Sequence, residues 1–311
     1  MRHLEASFDS GGLSCAATIY RQSGSAGLAG CVVMGNGVTL TRTDGIPDYA
    51  QRIAELGFVV VAFDYRCWGD SDGEPRRWVS IRNQLEDWRA AVACARGLDG
   101  VGPDRIAVWG MSLGGGLALR TAAADSRIAA AIALVPMADG LAFLLRPAPP
   151  SVTMRMMWCT MRGALTRSAV TVPVAGPPRS FALLAAPEAL ALAGFERVAG
   201  VNGWRNEADI RGLLLSGARF RPVRDAAAIR SPVLVQLGQR DGMVPLRPIE
   251  KVAMRARDAE LVRYPIDHFG CYAPEHIDSV AGDELEFLRR HVLRQGATSE
   301  SAAWPDNRDP V

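Results

Sequence analysis

Short apolar runs alternate with amphipathic segments up to residue 138. The apolar runs predict buried strands, and segments in which apolar residues recur every three or four positions predict helices. Two strands around a polar turn at 9–12 predict an edge hairpin. After it we predict strands at 31–34, 58–64, 105–109 and 128–135 and helices at 47–56, 83–98 and 113–124. Because alternating strands and helices build a parallel sheet, the pattern predicts an α/β fold with a mostly parallel, doubly wound sheet.

This alternation is interrupted between residues 139 and 230. The interrupting segment contains methionines around Trp158, a Pro- and Gly-rich stretch at 172–178 and two Ala/Leu-rich helical pieces. The alternation resumes with a strand at 232–237, a helix at 248–257, a strand at 259–264 and a closing helix at 274–293. We therefore predict a core of residues 1–138 and 231–294, an inserted helical cap at 139–230 and a flexible tail at 295–311.

The sequence Gly110-Met111-Ser112-Leu113-Gly114 lies where a predicted strand meets a predicted helix. It fits the G-x-S-x-G pattern of a nucleophile elbow in the context that the pattern requires. Its two glycines allow a tight turn that lifts the serine hydroxyl clear of the backbone. The turn also aims the first amides of the helix at the reaction centre, where they can stabilise an oxyanion. We predict that Ser112 is a nucleophile; the alternative is an ordinary glycine-rich turn.

A nucleophilic serine needs a base and an acid that orients the base. Among the four histidines, His268 follows the last predicted strand and so lies at the carboxyl edge of the sheet, where ligands bind in open α/β folds. Asp241 follows the preceding strand, and nucleophile, acid and base then come in the order of the G-x-S-x-G hydrolases. We predict His268 as the base and Asp241 as the acid. Asp139 is the rival acid, and Asp267 is expected to face solvent.

An oxyanion hole needs two backbone amides. One should belong to Leu113, the residue after the nucleophile. The other should come from Gly35-Asn36-Gly37, because glycines let a backbone approach a substrate oxygen closely. We predict the Asn36 amide, with that of Gly37 as the nearest alternative. A plain β-turn would use the same three residues.

Composition narrows the classes of function. The 311 residues carry a net charge of +2, too small to indicate a nucleic acid or an anionic membrane as a partner. The six cysteines form no C-x-x-C pair and no metal-ligand spacing, so we expect free thiols, no metal and no cofactor. The first residues lack an apolar signal segment, and no apolar run is long enough for a membrane span, so we expect a cytoplasmic protein.

Several motifs add a resemblance to a known superfamily. They are Val33-Met34-Gly35-Asn36-Gly37, Phe63-Asp64-Tyr65-Arg66, Gly69-Asp70-Ser71-Asp72-Gly73, Trp109-Gly110-Met111-Ser112 and Trp204-Arg205-Asn206-Glu207. Together they resemble bacterial and fungal α/β-hydrolases over about residues 30 to 293. More narrowly, they are similar to the branch related to acetylxylan esterases and to polyketide-transferase-like hydrolases. The resemblance implies an α/β-hydrolase fold and the same triad of Ser112, Asp241 and His268.

Met34 departs from the pattern of many relatives, which have histidine before the oxyanion glycine. The departure favours an apolar or unusual acyl group. We expect a substrate pocket that involves Met34, Met111, Met157 and Trp158, although packing of the cap on the core would use the same soft side chains. The resemblance further implies that residues 64–73 form a structural turn and that residues 204–207 lock the cap, with contact to the substrate as the alternative for 204–207.

The sequence therefore predicts a serine hydrolase that cleaves a carboxylic ester, thioester or lactone through an acyl-enzyme intermediate. The resemblance suggests a place in secondary metabolism. An acyltransferase or cyclase, or a hydrolase of carbon–carbon bonds, would use the same triad. A ligand-binding protein without catalysis is a further alternative. The expected partner is a small-molecule substrate, and the sequence leaves a homodimer open.

Overall fold

The central sheet of the molecule has eight strands. The computed structural model describes residues 2–22, 28–166, 168–190, 204–211 and 213–293. Its strands are β1 (Arg2–Ser10), β2 (Leu13–Arg21), β3 (Ala29–Gly35), β4 (Val59–Phe63), β5 (Val101–Met111), β6 (Ile128–Leu134), β7 (Thr171–Val172), β8 (Ala175–Gly176), β9 (Leu184–Ala185), β10 (Ala208–Asp209), β11 (Val233–Gly238) and β12 (Ala259–Tyr264). The sheet has the order β1-β2-β4-β3-β5-β6-β11-β12. β2 pairs antiparallel with β1 and β4, and all later neighbours pair parallel, which confirms the predicted hairpin and mostly parallel sheet.

Helices cover both faces of this sheet. They are α1 (Ile46–Glu55), α2 (Ile81–Arg96), α3 (Leu113–Ala124), α4 (Gly140–Leu144), α5 (Pro150–Thr166), α6 (Leu213–Arg219), α7 (Pro222–Asp225), α8 (Leu246–Arg255) and α9 (Pro274–Leu288), which continues into a π-helical turn at Arg289–Leu293. On β3, Gly30 lies against Val292, whereas Gly35 lies against Trp88 of α2. Because residues an odd number of positions apart on a strand face opposite sides, helical segments flank both faces.

The segment between β6 and β11 adds no strand to the central sheet in the part of the chain that the structure describes. It holds α4, α5, α6 and α7, an antiparallel pair of β7 with β10, and a parallel pair of β8 with β9. We expected helices alone here, and the short ladders are a difference. A ladder of two residues is too short to produce the period-two pattern by which strands are recognised. The division at residues 139 and 231 stays a prediction, and the predicted tail at 295–311 lies outside the described residues.

Residues 204–207 fasten this segment at two places. The Asn206 side chain both accepts from and donates to the Ala175 backbone, at 2.7 and 2.9 Å. Glu207 forms an ion pair of 2.5 Å with Arg77, in the loop before α2. The first contact closes the segment on itself, and the second ties it to the core, as expected for a lock.

The loop after β4 is built around buried carboxylates. Asp64 accepts hydrogen bonds from the backbone amides of Arg42 and Asp70, at 2.7 and 3.1 Å, and pairs with the Arg42 guanidinium. Asp87 accepts from Arg66 at 2.6 Å. Burial raises the pKa of both carboxyls, and their arginine partners oppose that shift. Residues 64–73 are therefore a structural turn, as the resemblance implied.

Two further expectations concern the cysteines and membrane-spanning helices. All six cysteines are free thiols. Among the described residues, no helix combines the length and the apolar character that a membrane span requires.

Candidate active site

Ser112 occupies a strained turn between β5 and α3. Its backbone has a φ of 56° and a ψ of −119°, a region that residues with side chains rarely adopt. The Ser112 amide donates to Leu134 O at 2.9 Å, and the Met137 amide donates to Ser112 O at 2.8 Å. A Cβ at Gly110 would overlap the first turn of α3. These contacts hold Ser112 at the N-terminus of a helix, where free amides favour negative charge.

The loop after β3 packs directly against this turn. A Cβ at Gly114 would overlap the carbonyl oxygens of Gly35 and Asn36. A Cβ at Gly37 would lie 3.1 Å from the Cβ of Ser112. Glycine at position 114 is therefore required by the close approach of a neighbouring backbone. The same approach brings the predicted oxyanion loop to the edge of the candidate site.

His268 bridges Ser112 and Asp241. Its Nε2 atom lies 3.0 Å from Ser112 Oγ, and its Nδ1 atom lies 2.6 Å from Asp241 Oδ2. The exposed fraction is 1% for His268 and 7% for each of the other two residues. If Nδ1 carries a proton and donates a hydrogen bond to Asp241, Nε2 is free of a proton and can accept that of the serine. The arrangement has the geometry of a nucleophile, a base and an acid that orients the base.

The Asp241 carboxylate is fixed by its own loop. Its Oδ1 atom accepts hydrogen bonds from the amides of Met243 and Val244, at 2.8 and 3.0 Å, which leaves Oδ2 for the histidine. The Arg146 guanidinium donates to Met243 O. Burial lowers the pKa of Arg146, and the nearby charge of Asp241 opposes that shift. A partly buried cation thus lies beside the acid.

The histidine loop after β12 is ordered by its neighbours. The exposed Asp267 side chain accepts from the amides of Phe269 and Gly270, at 3.1 and 2.8 Å, and so closes a turn around the histidine. The Cys271 thiol donates to His268 O at 3.6 Å. Burial raises the pKa of this thiol, so it stays protonated and able to donate. Asp267 is therefore exposed, as expected, and shapes the loop without touching the imidazole nitrogens.

Asn36 organises the predicted oxyanion loop through its side chain. Its Nδ2 atom donates to Thr41 O at 2.8 Å and to Asp44 O at 2.7 Å. Its Oδ1 atom accepts from the Gly37 amide at 2.8 Å. The Gly37 amide is therefore already engaged, which favours the Asn36 amide over it as the second donor next to Leu113. That role stays a prediction.

Asp139, the rival acid, is engaged elsewhere. It caps α4 by accepting from the Ala142 amide at 3.1 Å. Its carboxylate also forms a bidentate ion pair with Arg221, at 2.7 to 3.0 Å. The side chain that reaches His268 is that of Asp241.

A small apolar cavity of about 40 Å³ adjoins the Ser112 turn at Leu113. Its walls come from the core and from the segment 139–230, and they include Val38, Met137, Phe143, Leu184 and Phe220. Met34 and Met111, expected at a substrate pocket, are fully buried in the core.

The structure does not bring Met157 and Trp158 to this cavity. Their side chains lie on α5 and are 50% and 59% exposed. With Met154 and Met161 they form an apolar stripe at i, i+3, i+4 and i+7 spacing, and this stripe is open to solvent. The apolar cavity is lined instead by residues that the sequence pattern did not single out.

Sequence reasoning also missed the side chains that support the oxyanion loop. The Tyr65 hydroxyl donates to Asn36 O at 3.1 Å, and the Trp88 indole donates to the Tyr65 hydroxyl at 3.1 Å. The Tyr272 hydroxyl donates to Asn36 Oδ1 at 3.2 Å. Tyr65 lies in one of the motifs that carry the resemblance, which was an available signal. Tyr272 had none. No group of three or more histidine, cysteine or acidic residues in the described ranges could hold a metal ion.

Known proteins resemble this chain over most of its length or over part of it. It is 34% identical over 293 residues to the quorum-quenching protein AidA of Acinetobacter baumannii (strain MDR-ZJ06). The matched region is 93% of this chain and 95% of AidA. It is 37% identical over 108 residues to the polyketide transferase grgF of Penicillium sp., which covers 35% of this chain and 37% of that protein. The solved structure of the α/β hydrolase GrgF from Penicillium sp. sh18 has a TM-score of 0.80 at 22% identity and covers 94% of this chain and 100% of GrgF.

The structural likeness establishes an α/β-hydrolase fold, as the sequence motifs predicted. The family described as serine aminopeptidase, S33, matches residues 30–266. This range begins in β3 and includes both the Ser112 turn and the Asp241 loop. Because the match extends over most of the chain, the protein belongs to this α/β-hydrolase family, Hydrolase_4.

Proposed function

We propose that the protein is a serine hydrolase whose nucleophile is Ser112. The observation that carries the proposal is the chain of contacts from Ser112 Oγ through His268 to the Asp241 carboxylate, at 3.0 and 2.6 Å. An isolated serine hydroxyl is too weakly acidic to attack a carbonyl group. An imidazole that accepts its proton makes it a nucleophile.

In the acylation step, Ser112 Oγ bonds to the carbonyl carbon and its proton passes to His268 Nε2. Asp241 stabilises the imidazolium that results. The carbonyl oxygen becomes an oxyanion, which the amides of Leu113 and Asn36 would stabilise. When the tetrahedral intermediate collapses, the bond to the leaving group breaks and the leaving group takes the proton from His268.

In the second step, water attacks the acyl-enzyme. His268 accepts a proton from the water, and the acyl–oxygen bond to Ser112 breaks as the serine regains its proton. The net reaction is hydrolysis of an ester, a thioester or a lactone. A positive backbone φ at Ser112 supports this scheme, because strain of this kind is concentrated at functional sites.

The apolar cavity beside Leu113 favours an uncharged, apolar acyl group. A charged group placed there would lose its hydration without gaining a partner. The name of AidA, a quorum-quenching protein, favours a small molecule as the substrate. The six free thiols suit a reducing compartment, so we propose a cytoplasmic location.

Acyl transfer is the second candidate, and the name of the relative grgF, a polyketide transferase, favours it. The acylation step would be the same, but a hydroxyl or amine would replace water as the attacking group. A competing alcohol separates the two functions. A hydrolase releases mainly the acid, whereas a transferase forms the new ester at low alcohol concentration.

The proposal is tested by labelling with a fluorophosphonate probe and by a panel of p-nitrophenyl esters and acyl thioesters. We expect the wild type to take up the label and to cleave members of the panel, and Ser112→Ala to do neither. Ser168→Ala, which changes an exposed serine, serves as the control. Labelling that persists in Ser112→Ala would assign the nucleophile to another residue, and a wild type without label would refute the proposal.

A further inference from the structure

A cleft with cationic walls lies on the far side of α4 from the apolar cavity. Its volume is about 590 Å³. Five cationic side chains line it, and the single acidic residue among its lining residues is Asp139. The cations are Arg221 and Arg224, from the segment that contains α7, and Arg247, Lys251 and Arg255 of α8. This local excess of positive charge stands out in a chain with 35 basic and 33 acidic residues.

Helical geometry aligns the cations of one wall. Arg247, Lys251 and Arg255 are spaced four residues apart along α8, so they lie on one face of the helix. Like charges at this spacing destabilise a helix unless an anion compensates them. The alignment therefore has an unfavourable electrostatic energy that a bound anion would offset.

Two acidic residues that neighbour the cations in sequence pair away from the cleft. Glu250, between two cations of α8, pairs with Arg263, and Asp225, next to Arg224, pairs with Arg120. Within the described ranges, the ion pair of Asp139 with Arg221 is the one that forms inside the cleft.

Four cations thus remain without a carboxylate partner among the described residues: Arg224, Arg247, Lys251 and Arg255. Arg255 donates to Val223 O at 3.0 Å, which holds its guanidinium at the α7 wall. The cleft therefore has a net positive charge and donors on two walls, which suits a ligand with several negative groups.

The cleft is close to the candidate active site along the chain. Met137, whose amide donates to Ser112 O, is two residues before Asp139. The Val223 amide donates to Ala138 O at 2.9 Å, which fixes the Arg221–Arg224 wall to the same segment. Pro245, on the opposite wall, follows Val244, whose amide binds Asp241. Both walls therefore begin within a few residues of groups that touch Ser112 or Asp241.

We propose that this cleft binds the phosphate groups of a coenzyme A thioester, so that the nucleoside polyphosphate end lies in the cleft while the thioester reaches Ser112. The inference deepens the proposed function and rests on it for the reacting end of the ligand. A concave site with cations on two walls fits a small polyphosphate better than the convex surface of a carrier protein. The four cations that lack a carboxylate partner within the described ranges also match a ligand with several phosphate charges.

The reaction balances without a further reactant. Ser112 Oγ bonds to the thioester carbonyl carbon, and the carbon–sulfur bond breaks. The sulfur leaves as a thiol after it takes the proton held by His268 Nε2. Water then cleaves the acyl-enzyme, and the products are coenzyme A and a carboxylic acid.

Direct binding tests the cleft apart from catalysis. We expect coenzyme A to bind the full-length Ser112→Ala protein in calorimetry, and the double variant Arg247→Gln/Lys251→Gln to bind it at least tenfold more weakly. The matched control is Arg82→Gln, which changes an exposed arginine of α2 and should bind as the parent does. Lys251 is the only lysine in the sequence, so reductive labelling with pyridoxal 5′-phosphate followed by peptide mapping reports on its accessibility. Coenzyme A should protect it.

Kinetics tests the link to Ser112. We expect the ratio of kcat/KM for an acyl-coenzyme A to that for the matching N-acetylcysteamine thioester to fall at least tenfold in the double variant. Arg82→Gln should keep the ratio. The proposal would be overturned if coenzyme A failed to bind, or if the double variant bound it as tightly as Arg82→Gln does. Equally tight binding of inorganic phosphate, or a preference for an acyl-carrier-protein thioester, would also overturn it. Cleavage of the N-acetylcysteamine thioester and fluorophosphonate labelling report on Ser112 alone, so they separate this failure from failure of the proposed function.

Discussion

The Tyr272 hydroxyl donates a hydrogen bond of 3.2 Å to Asn36 Oδ1 and so joins the histidine loop to the loop after β3. The same Oδ1 atom accepts from the Gly37 amide, and Asn36 Nδ2 holds two further carbonyls. The backbone that carries the proposed oxyanion donor is thus oriented by a residue four positions after His268. Position of the donor and position of the base are coupled through one side chain.

Removal of this hydroxyl should slow the reaction without unfolding the protein. A neutral hydrogen bond contributes about 1 kcal/mol, so we expect Tyr272→Phe to lower kcat about fivefold and to change KM little. Steady-state kinetics on a p-nitrophenyl ester measures both constants. Tyr20→Phe, which removes a hydroxyl from a buried tyrosine of β2, is the control. A wild-type kcat in Tyr272→Phe would show that the loop holds its position without this contact.

The two candidate acids should respond differently to the same change. Asp241→Asn removes the charge that orients His268, and loss of that charge in a serine triad costs about 10⁴-fold in kcat. Asp139→Asn changes a helix cap and an ion pair, so we expect kcat within about threefold of the wild type and a loss of about 1 kcal/mol in stability. Hydrolysis rates and thermal unfolding measure the two effects. A large loss of kcat in Asp139→Asn with little loss in Asp241→Asn would assign the role of the acid that orients His268 to Asp139.

The elements with strong local patterns were predictable from the sequence. α3 and β12 have the predicted bounds, 113–124 and 259–264. In both cases the residue types at the boundaries determine the local conformation: a glycine-flanked turn precedes α3, and an aspartate-containing loop follows β12. The same signals led to Ser112, Asp241 and His268, because each follows a strand at the carboxyl edge of the sheet.

Features that depend on which surface covers which could not be predicted in the same way. Periodicity places Met157 and Trp158 in one stripe of α5 together with Met154 and Met161, but it does not say whether another element packs there. The cationic cleft combines residues of α7 and α8 that β11 separates in sequence. The contact of Tyr272 with Asn36 joins positions 236 residues apart. Such relationships arise from tertiary packing, which a single sequence does not encode locally.

Two glycines offer a matched test of the packing around Ser112. A Cβ at Gly114 would overlap two carbonyl oxygens, whereas a Cβ at Gly282 of α9 meets nothing within 4 Å. Displacement of a reacting group by about 1 Å can cost about 10²-fold, so we expect a loss of that order in kcat for Gly114→Ala, together with a lower Tm. Gly282→Ala should keep kcat and gain up to about 1 kcal/mol in stability, since alanine favours a helix. Equal effects of the two substitutions would contradict this account.

Glu284 of α9 is a fully buried carboxyl. Neither of its oxygens has a hydrogen-bond partner in the described part of the chain. The Trp109 indole favours the charged form, but its Nε1 atom lies outside hydrogen-bonding geometry. Burial therefore dominates and raises the pKa of Glu284 well above 4.5. In the folded protein the group stays protonated at a pH at which the unfolded chain has already lost the proton.

This difference makes stability depend on pH with a definite sign. The contribution of Glu284 is complete below about pH 4.5 and is lost as the pH rises toward the raised pKa, because the unfolded state releases the proton first. Glu284→Gln keeps the shape of the side chain and cannot ionise. The Tm of this variant minus the Tm of the wild type should therefore increase as the pH rises from about 5 to about 8. Thermal unfolding across this range measures the difference, and other titrating groups cancel in it. For Glu286→Gln, on the exposed side of the same helix, the difference in Tm from the wild type should stay constant across this pH range. A difference for Glu284→Gln that shrinks with rising pH would mean that the buried carboxyl is ionised and compensated by a partner.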